Sequence, residues 1–87
     1  MKPYLFLQII SPEKTLFKGN VTVVRFPGKK APFVVLKDHA PIMSLLEQGV
    51  ISFEGEFGKK NIPVTGGFVQ VKKNRVYACI DPIISDV

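Results

Sequence analysis

Apolar positions in this chain either run unbroken for a few residues or alternate with polar ones, and neither pattern carries the 3.6-residue period of a helix. Residues 4–10 are apolar with one break at Gln8 and stop at Ser11-Pro12-Glu13. Leu16 and Phe17 form a short run closed by Gly19-Asn20, a turn pair. Residues 21–26 are dense in β-branched side chains and end at Pro27-Gly28, and residues 33–36 predict a buried strand. Farther on, Ile51 and Phe53 alternate with Ser52 and Glu54, which marks a half-buried strand over residues 50–54. A turn over residues 55–58, a strand over 61–65 and a second turn at Gly66-Gly67 follow. Residues 68–72 alternate again, and Lys73-Asn74 predicts a two-residue hairpin turn into residues 75–80. Residues 42–48, with Gly49 as a C-cap, are the one helical candidate, too short for a stable helix.

Strands at this spacing, with turn signals between them, indicate an all-β protein: an antiparallel sandwich or barrel with no substantial helix. The 87 residues suffice for one modest core, so a single domain over residues 1–87 is expected. No internal repeat, linker or low-complexity tract interrupts it. The opening Met1-Lys2-Pro3-Tyr4 leads directly into a strand pattern without a small-residue cleavage site, so no signal peptide is expected. No apolar stretch approaches the ~20 residues of a membrane span. Membrane association is therefore expected only through a partner.

Charge adds a basic bias, +5 with a pI near 9.6. Much of it lies in the pairs Lys29-Lys30, Lys59-Lys60 and Lys72-Lys73, each beside glycine or asparagine. Dispersed pairs of this kind keep loop tips and strand edges soluble. A basic surface also suits nucleic acid, an anionic membrane or an acidic partner. Cys79 stands alone in an apolar run, which excludes a disulfide framework and reads as a small buried hydrophobe.

The only histidine lies in Lys37-Asp38-His39-Ala40-Pro41, where Pro41 biases Ala40 toward extended geometry and places the imidazole at a turn. Loops on rigid β scaffolds collect binding residues. A Ser-His-Asp arrangement would draw on Asp38 and Ser44, but adjacent extended residues point apart and no nucleophile elbow is present. His39 and Cys79 match no metal-ligand spacing, and the GxxxxGK[ST] phosphate loop is missing. Glu54 and Glu56 straddle Gly55 as solvated charge. Lys37 lacks the flanks of a biotinyl or lipoyl carrier lysine. No catalytic residue, metal or cofactor is expected. Of the aromatic residues Phe53, Phe57, Phe68 and Tyr77, alternation assigns most to the core. A small basic nucleic-acid-binding β-barrel is the alternative reading.

A series of segments, in order along nearly the whole chain, resembles the N-terminal β domain of the epsilon subunit of F-type ATP synthase, called delta in mitochondria. These are Leu7-Gln8-Ile9-Ile10-Ser11-Pro12-Glu13, Leu16-Phe17-Lys18-Gly19, Val23-Val24-Arg25-Phe26-Pro27-Gly28, His39-Ala40-Pro41-Ile42-Met43-Ser44-Leu45-Leu46, Gly49-Val50-Ile51 and Thr65-Gly66-Gly67-Phe68-Val69-Gln70-Val71. The resemblance implies a flattened sandwich of about ten strands. It also implies a non-catalytic rotor subunit of the central stalk that packs on gamma and on the ring of c subunits, coupling ion translocation to ATP synthesis. Its place would be peripheral, at the cytoplasmic face of a bacterial plasma membrane. Carried over by position, His39 with Lys37, Asp38 and Pro41 falls at the ring interface, and Ser11, Ser44 and Thr65 fall on the gamma side.

Two departures from the family pattern stand out. Where most members have a glycine-rich, acid-containing loop, this chain has Lys29-Lys30-Ala31-Pro32, with Pro32 at the usual acidic position. That puts Lys29, Lys30 and Pro32 among the partner-interface residues, where a cationic loop is expected to favour a differently charged ring surface. The chain closes at Asp81-Pro82-Ile83-Ile84-Ser85-Asp86-Val87, where typical bacterial members continue into an inhibitory helical hairpin. Inhibition by helix extension and nucleotide binding are accordingly not expected.

Overall fold

Period-two alternation becomes strand throughout the computed structural model, which describes residues 3–82. Eight strands form among the described residues: β1 (Leu5–Ile10), β2 (Thr15–Val21), β3 (Val23–Phe26), β4 (Phe33–Val35), β5 (Ile42–Leu46), β6 (Gly49–Gly55), β7 (Gly58–Lys72) and β8 (Arg75–Pro82). They hydrogen-bond in the order β2-β1-β8-β7-β6-β3-β4, with β5 also on β7. Residues 83–87, which carry most of the chain's closing segment, lie outside the described residues.

The 15-residue β7 explains why eight strands stand where about ten were expected. Its first half pairs with β6, from Gly55↔Gly58 to Gly49↔Val64. Its second half lies between β5 and β8. The register shifts between Val64 and Gly66, so Gly66-Gly67 is a bulge inside one strand and not the turn expected there. The chain changes layer here, and again at Thr22 between β2 and β3, where the Thr22 amide donates to the Glu54 carbonyl at 2.8 Å. One layer holds β2, β1, β8, the second half of β7 and β5. The other holds β4, β3, β6 and the first half of β7. The result is a flattened sandwich, 46 × 28 × 19 Å.

Three further expectations change. Gly19-Asn20 closes no turn, because both residues continue β2 opposite Leu7 and Phe6. Residues 42–48 form no helix: residues 42–46 are β5, paired antiparallel with β7 from Ile42↔Val71 to Leu46↔Gly67, with Ile42, Ser44 and Leu46 more buried than Met43 and Leu45. The sheet is also not purely antiparallel, because β1 runs parallel to β8 from Phe6↔Arg75 to Ile10↔Cys79. The predicted Lys73-Asn74 hairpin turn is present. Both residues have positive φ, 51° and 61°, the type I′ geometry that matches strand twist.

One core cluster fills the space between the layers, with Leu5, Leu7 and Ile9 of β1 and Val76, Ala78 and Ile80 of β8 from one side. Val24, Phe26, Ile51 and Phe53 close it from the other. Phe17 stacks on Phe53 with ring centroids 4.5 Å apart and reaches Phe57 at 5.4 Å, tying β2 to the β6–β7 hairpin. At the same corner the Tyr4 hydroxyl donates to the Glu56 carboxylate, a hydrogen bond that raises the phenol pKa above its usual value. Glu54 pairs with Arg25 at 3.5 Å, so both acids have partners.

Gly67 has no room for a side chain. Its φ is +141°, and a Cβ there would lie 2.3 Å from the Cys79 carbonyl oxygen and 2.8 Å from the Ile80 Cα. Gly66 has room, its nearest atom being the Leu46 carbonyl oxygen at 3.6 Å. Gly67→Ala is expected to destabilise the fold by roughly 2–3 kcal/mol and Gly66→Ala by under about 1 kcal/mol, checked by urea unfolding of the two variants. Equal losses would show that the bulge does not depend on Gly67.

Candidate functional site

With one set of alternating residues committed to the core, the other set of β5, β7, β8 and β1 forms an outer face, and strand register sorts it into rows. Leu45 lies opposite Phe68, Phe68 opposite Cys79, and Cys79 opposite Ile10, an entirely apolar row across four strands. The next row is Met43, Gln70, Tyr77, Gln8 and Lys18. The third is Lys72, Arg75, Phe6 and Asn20. The face thus grades from apolar to cationic along the strands. Met43 is 72% exposed, Leu45 61%, Phe68 46% and Tyr77 42%, more apolar surface than an isolated sheet face ordinarily shows to water.

This face overturns two expectations. Phe68 and Tyr77, expected in the core with most of the aromatics, both point outward, Phe57 is also exposed, and only Phe53 is fully buried. Cys79 is half-buried and lines an outer hollow with Ile10, Phe68 and Tyr77, so it is no core hydrophobe. In β4, Val34 is exposed beside buried Val35, so that strand is buried on one side only.

The histidine loop sits at the cationic end. The His39 amide donates to the Leu36 carbonyl at 3.1 Å, closing a β-turn, and Asp38 takes a φ of 66° inside it. The Asn74 side chain holds this turn from both sides. Its Oδ1 accepts from the Asp38 amide at 2.6 Å, and its Nδ2 donates to Asp38 Oδ1 at 3.1 Å. The Asn74 carbonyl meanwhile accepts from the Phe6 amide at 2.9 Å. One asparagine, left-handed because the hairpin needs it so, thereby joins the β7–β8 tip, the start of β1 and the histidine loop. Lys37, Asp38, His39 and Pro41 are gathered here, beside Lys72, Lys73 and Arg75.

The remaining expected residues lie elsewhere. Ser11 is nearly buried after β1, its hydroxyl donating to the Lys14 carbonyl at 3.2 Å and accepting from the Lys14 amide at 3.3 Å. Thr65 donates to the Asp81 carbonyl at 3.0 Å and fastens the bulge. Ser44 is half-buried in β5, opposite Val69, with its hydroxyl on the Leu45 carbonyl. Lys29 and Lys30 are exposed where their loop docks on β5 through the Lys29 amide and the Leu45 carbonyl, 2.9 Å apart. They border the apolar row at the end away from His39, lining a hollow with Met43, Ser44 and Leu45. Pro32 is exposed in the same loop.

The side chains a catalytic arrangement would need do not converge. His39 Nδ1 lies 2.7 Å from the Ala40 carbonyl oxygen, so it donates there, while Asp38 is engaged by Asn74 and Ser44 by its own strand. The arrangement suits contact by shape and charge. The residues missed by sequence reasoning are Ile10, Met43, Leu45, Phe68, Tyr77 and Cys79. Their signal was present: 42–46 and 76–80 are apolar at both parities, which a strand with a single dry face does not need.

Comparison with known proteins places this geometry. Residues 4–85 match the family described as ATP synthase, Delta/Epsilon chain, beta-sandwich domain. The ATP synthase epsilon chain of a Nitratiruptor species is 42% identical over 78 residues, covering 88% of this chain and 60% of the relative. That of Leptospira borgpetersenii serovar Hardjo-bovis is 42% identical over 77 residues, covering 88% and 61%. The chain thus spans about 60% of the length of these relatives. Among solved structures, a chain of the Euglena gracilis mitochondrial ATP synthase (OSCP/F1/c-ring) superposes with a TM-score of 0.84 at 20% identity, covering 92% of this chain and 52% of that one. A chain of the Tetrahymena thermophila mitochondrial ATP synthase central stalk and c-ring gives 0.75 at 15% identity, covering 92% and 65%. These structural likenesses concern the fold.

Because Asn74 anchors the histidine loop through its side chain, Asn74→Gly should keep the turn's backbone while releasing the loop. Amide hydrogen exchange by NMR is expected to speed up at Asp38 and His39 by about tenfold, with the β7–β8 ladder still protected. Unchanged exchange at Asp38 would mean that the loop stands without Asn74.

Proposed function

The chain belongs to the ATP synthase delta/epsilon family through its β-sandwich domain, and on that premise we propose that it is a non-catalytic rotor subunit of the central stalk. In this reading the outer face packs on the gamma subunit and the histidine end meets the ring of c subunits, so that rotation driven by ion flow passes through the domain to the catalytic head. The complex holds it peripherally, at the cytoplasmic face of a bacterial plasma membrane.

The observation that carries this reading is the apolar row Leu45, Phe68, Cys79 and Ile10, lying in the open on a sheet whose other face is fully packed. Burial of large exposed side chains at the centre of a contact supplies most of an interface's energy. Stiffness suits the role, since a close-packed core transmits strain without absorbing it. Ser11 and Thr65 support the surface from within, holding the turn after β1 and the bulge of β7, while Ser44 lies between Met43 and Leu45. Lys29, Lys30 and exposed Pro32 form a cationic loop bordering the face, so the partner surface there is expected to be acidic.

The test is capture of the cognate gamma subunit and c-ring by the purified chain. Phe68→Glu, at an exposed position, should leave the fold intact by circular dichroism and weaken gamma capture by roughly 30-fold or more. His39→Ala and Lys37→Glu should leave gamma capture within about threefold and reduce recovery of the ring. Gamma retained equally by wild type and Phe68→Glu would remove the outer face from the interface. Failure of the wild type to capture gamma would remove the rotor reading.

A further inference from the structure

Strand β7 treats its cations differently at its two ends. Near its start Lys59 stands opposite Glu54, which also lies 3.5 Å from Arg25. At its finish Lys72 stands opposite Arg75 across the β7–β8 hairpin, with Lys73 between them in the turn. Like charges so placed weaken a strand pair. Among the described residues no carboxylate lies within ion-pair distance of Lys72, Lys73 or Arg75. The acid of the adjoining loop, Asp38, is held by Asn74, whose side-chain amide donates to it at 3.1 Å. Arg75 has only the Phe6 ring, 6.0 Å away at its centroid, and an aromatic face replaces part of what a carboxylate would give.

The three cations line a shallow hollow together with Gln70 and Tyr77, which stand opposite each other one row farther in. We propose that this hollow receives a carboxylate side chain of the c-ring, entering between Lys72, Lys73 and Arg75. The proposal rests on the rotor reading, in which the histidine end meets the ring, and names the chemistry by which that end does so. The fork of Arg75 matches the two oxygens of a carboxylate. Lys72 and Lys73 add charge, and the Gln70 amide and Tyr77 hydroxyl are donors for the lone pairs that remain. Asn74 ties the hairpin tip to the histidine loop and to β1, so the cations are in place before the ring arrives. The turn carries Lys73 past the last paired residues of both strands, off the apolar face and toward the end of the domain, which assigns the carboxylate to the ring and not to gamma. The opposed cations weaken the free chain and are neutralised only when the acid is in place, which discriminates against a neutral or basic ring surface.

The experiment is carbodiimide cross-linking of the gamma-bound chain to the detergent-solubilised cognate c-ring, together with ring affinity measured against salt. The reagent joins a lysine amine to a touching carboxylate without a spacer. Mass spectrometry should find Lys72 or Lys73 joined to an aspartate or glutamate of a c subunit, and ring affinity should fall as salt is raised. Lys72→Gln with Lys73→Gln should lower that affinity about tenfold, and Arg75→Lys, which keeps the charge and loses the fork, about threefold. Lys59→Gln with Lys60→Gln removes the same charge at the opposite end of β7 and should change it by no more than about twofold. Lys72→Gln alone should raise the melting temperature of the free chain by about 2 °C, because it removes the opposed charges. Gamma capture should stay within about twofold of wild type in all of these variants. Cross-links from Lys72 and Lys73 to gamma alone, equal losses from the two double variants, or a ring affinity indifferent to salt would overturn the proposal. Gamma captured, with ring affinity unmoved by the Lys72 and Lys73 changes, would remove the carboxylate site and leave the rotor reading standing. A wild type that captures no gamma would remove the rotor reading and the site with it.

Discussion

Strand β7 is asked to do something an ordinary strand does not, and the rest of the architecture depends on how it succeeds. Over its first half it hydrogen-bonds to β6 in one layer, and over its second half to β5 and β8 in the other. The change of layer is made at Gly66-Gly67, where the backbone of β8 comes so close that no side chain fits at Gly67. A bulge here bends the strand without ending it, and the extra twist carries the chain across the core. Had the strand ended, two separate sheets would need to find each other through side chains alone. Because it continues, the two faces are in covalent register.

The same continuity fixes what faces outward. Once Val69, Val71, Val76, Ala78 and Ile80 are committed inward, period-two geometry leaves Phe68, Gln70, Lys72, Tyr77 and Cys79 no choice but the outer face. A one-residue slip would exchange the two sets entirely. Apolar residues on the outside are therefore not an imperfection of packing. They are positioned as firmly as the core itself, by the same ladder, which gives a partner a surface already arranged before contact and lowers the ordering cost of binding.

Much of the fold was legible because alternation and turn chemistry are local. The I′ turn at Lys73-Asn74, the alternating strands after Gly49 and Gly67, and the turn at His39 all follow from residues within a few positions of one another. What misled sequence reading was also local. Gly19-Asn20 and Gly66-Gly67 look like turns by composition, but their conformations are decided by pairing with strands far along the chain. The five residues of β5 gave too short a window to separate period two from 3.6. The parallel pairing of β1 with β8 joins the two ends of the described chain and leaves no local trace. At the candidate site, the histidine loop could be read, whereas the outer apolar row could not. Side chains from four strands compose that row, and a strand apolar at both parities looks the same in sequence whether its second face meets a layer of its own protein or another molecule.

Asn74 shows what such long-range joins do to the behaviour of the whole. Its side chain and its carbonyl connect the histidine loop, the hairpin tip and the start of β1 at one end of the molecule. Pulling on that end does not peel a loop away from the body. The load runs along β1, β7 and β8 at once, perpendicular to their hydrogen bonds, so the ladder is sheared with many bonds sharing the force and is not unzipped one pair at a time. In mechanical terms the domain has a gripped handle: a tip of short loops that yields only when three strands slide together.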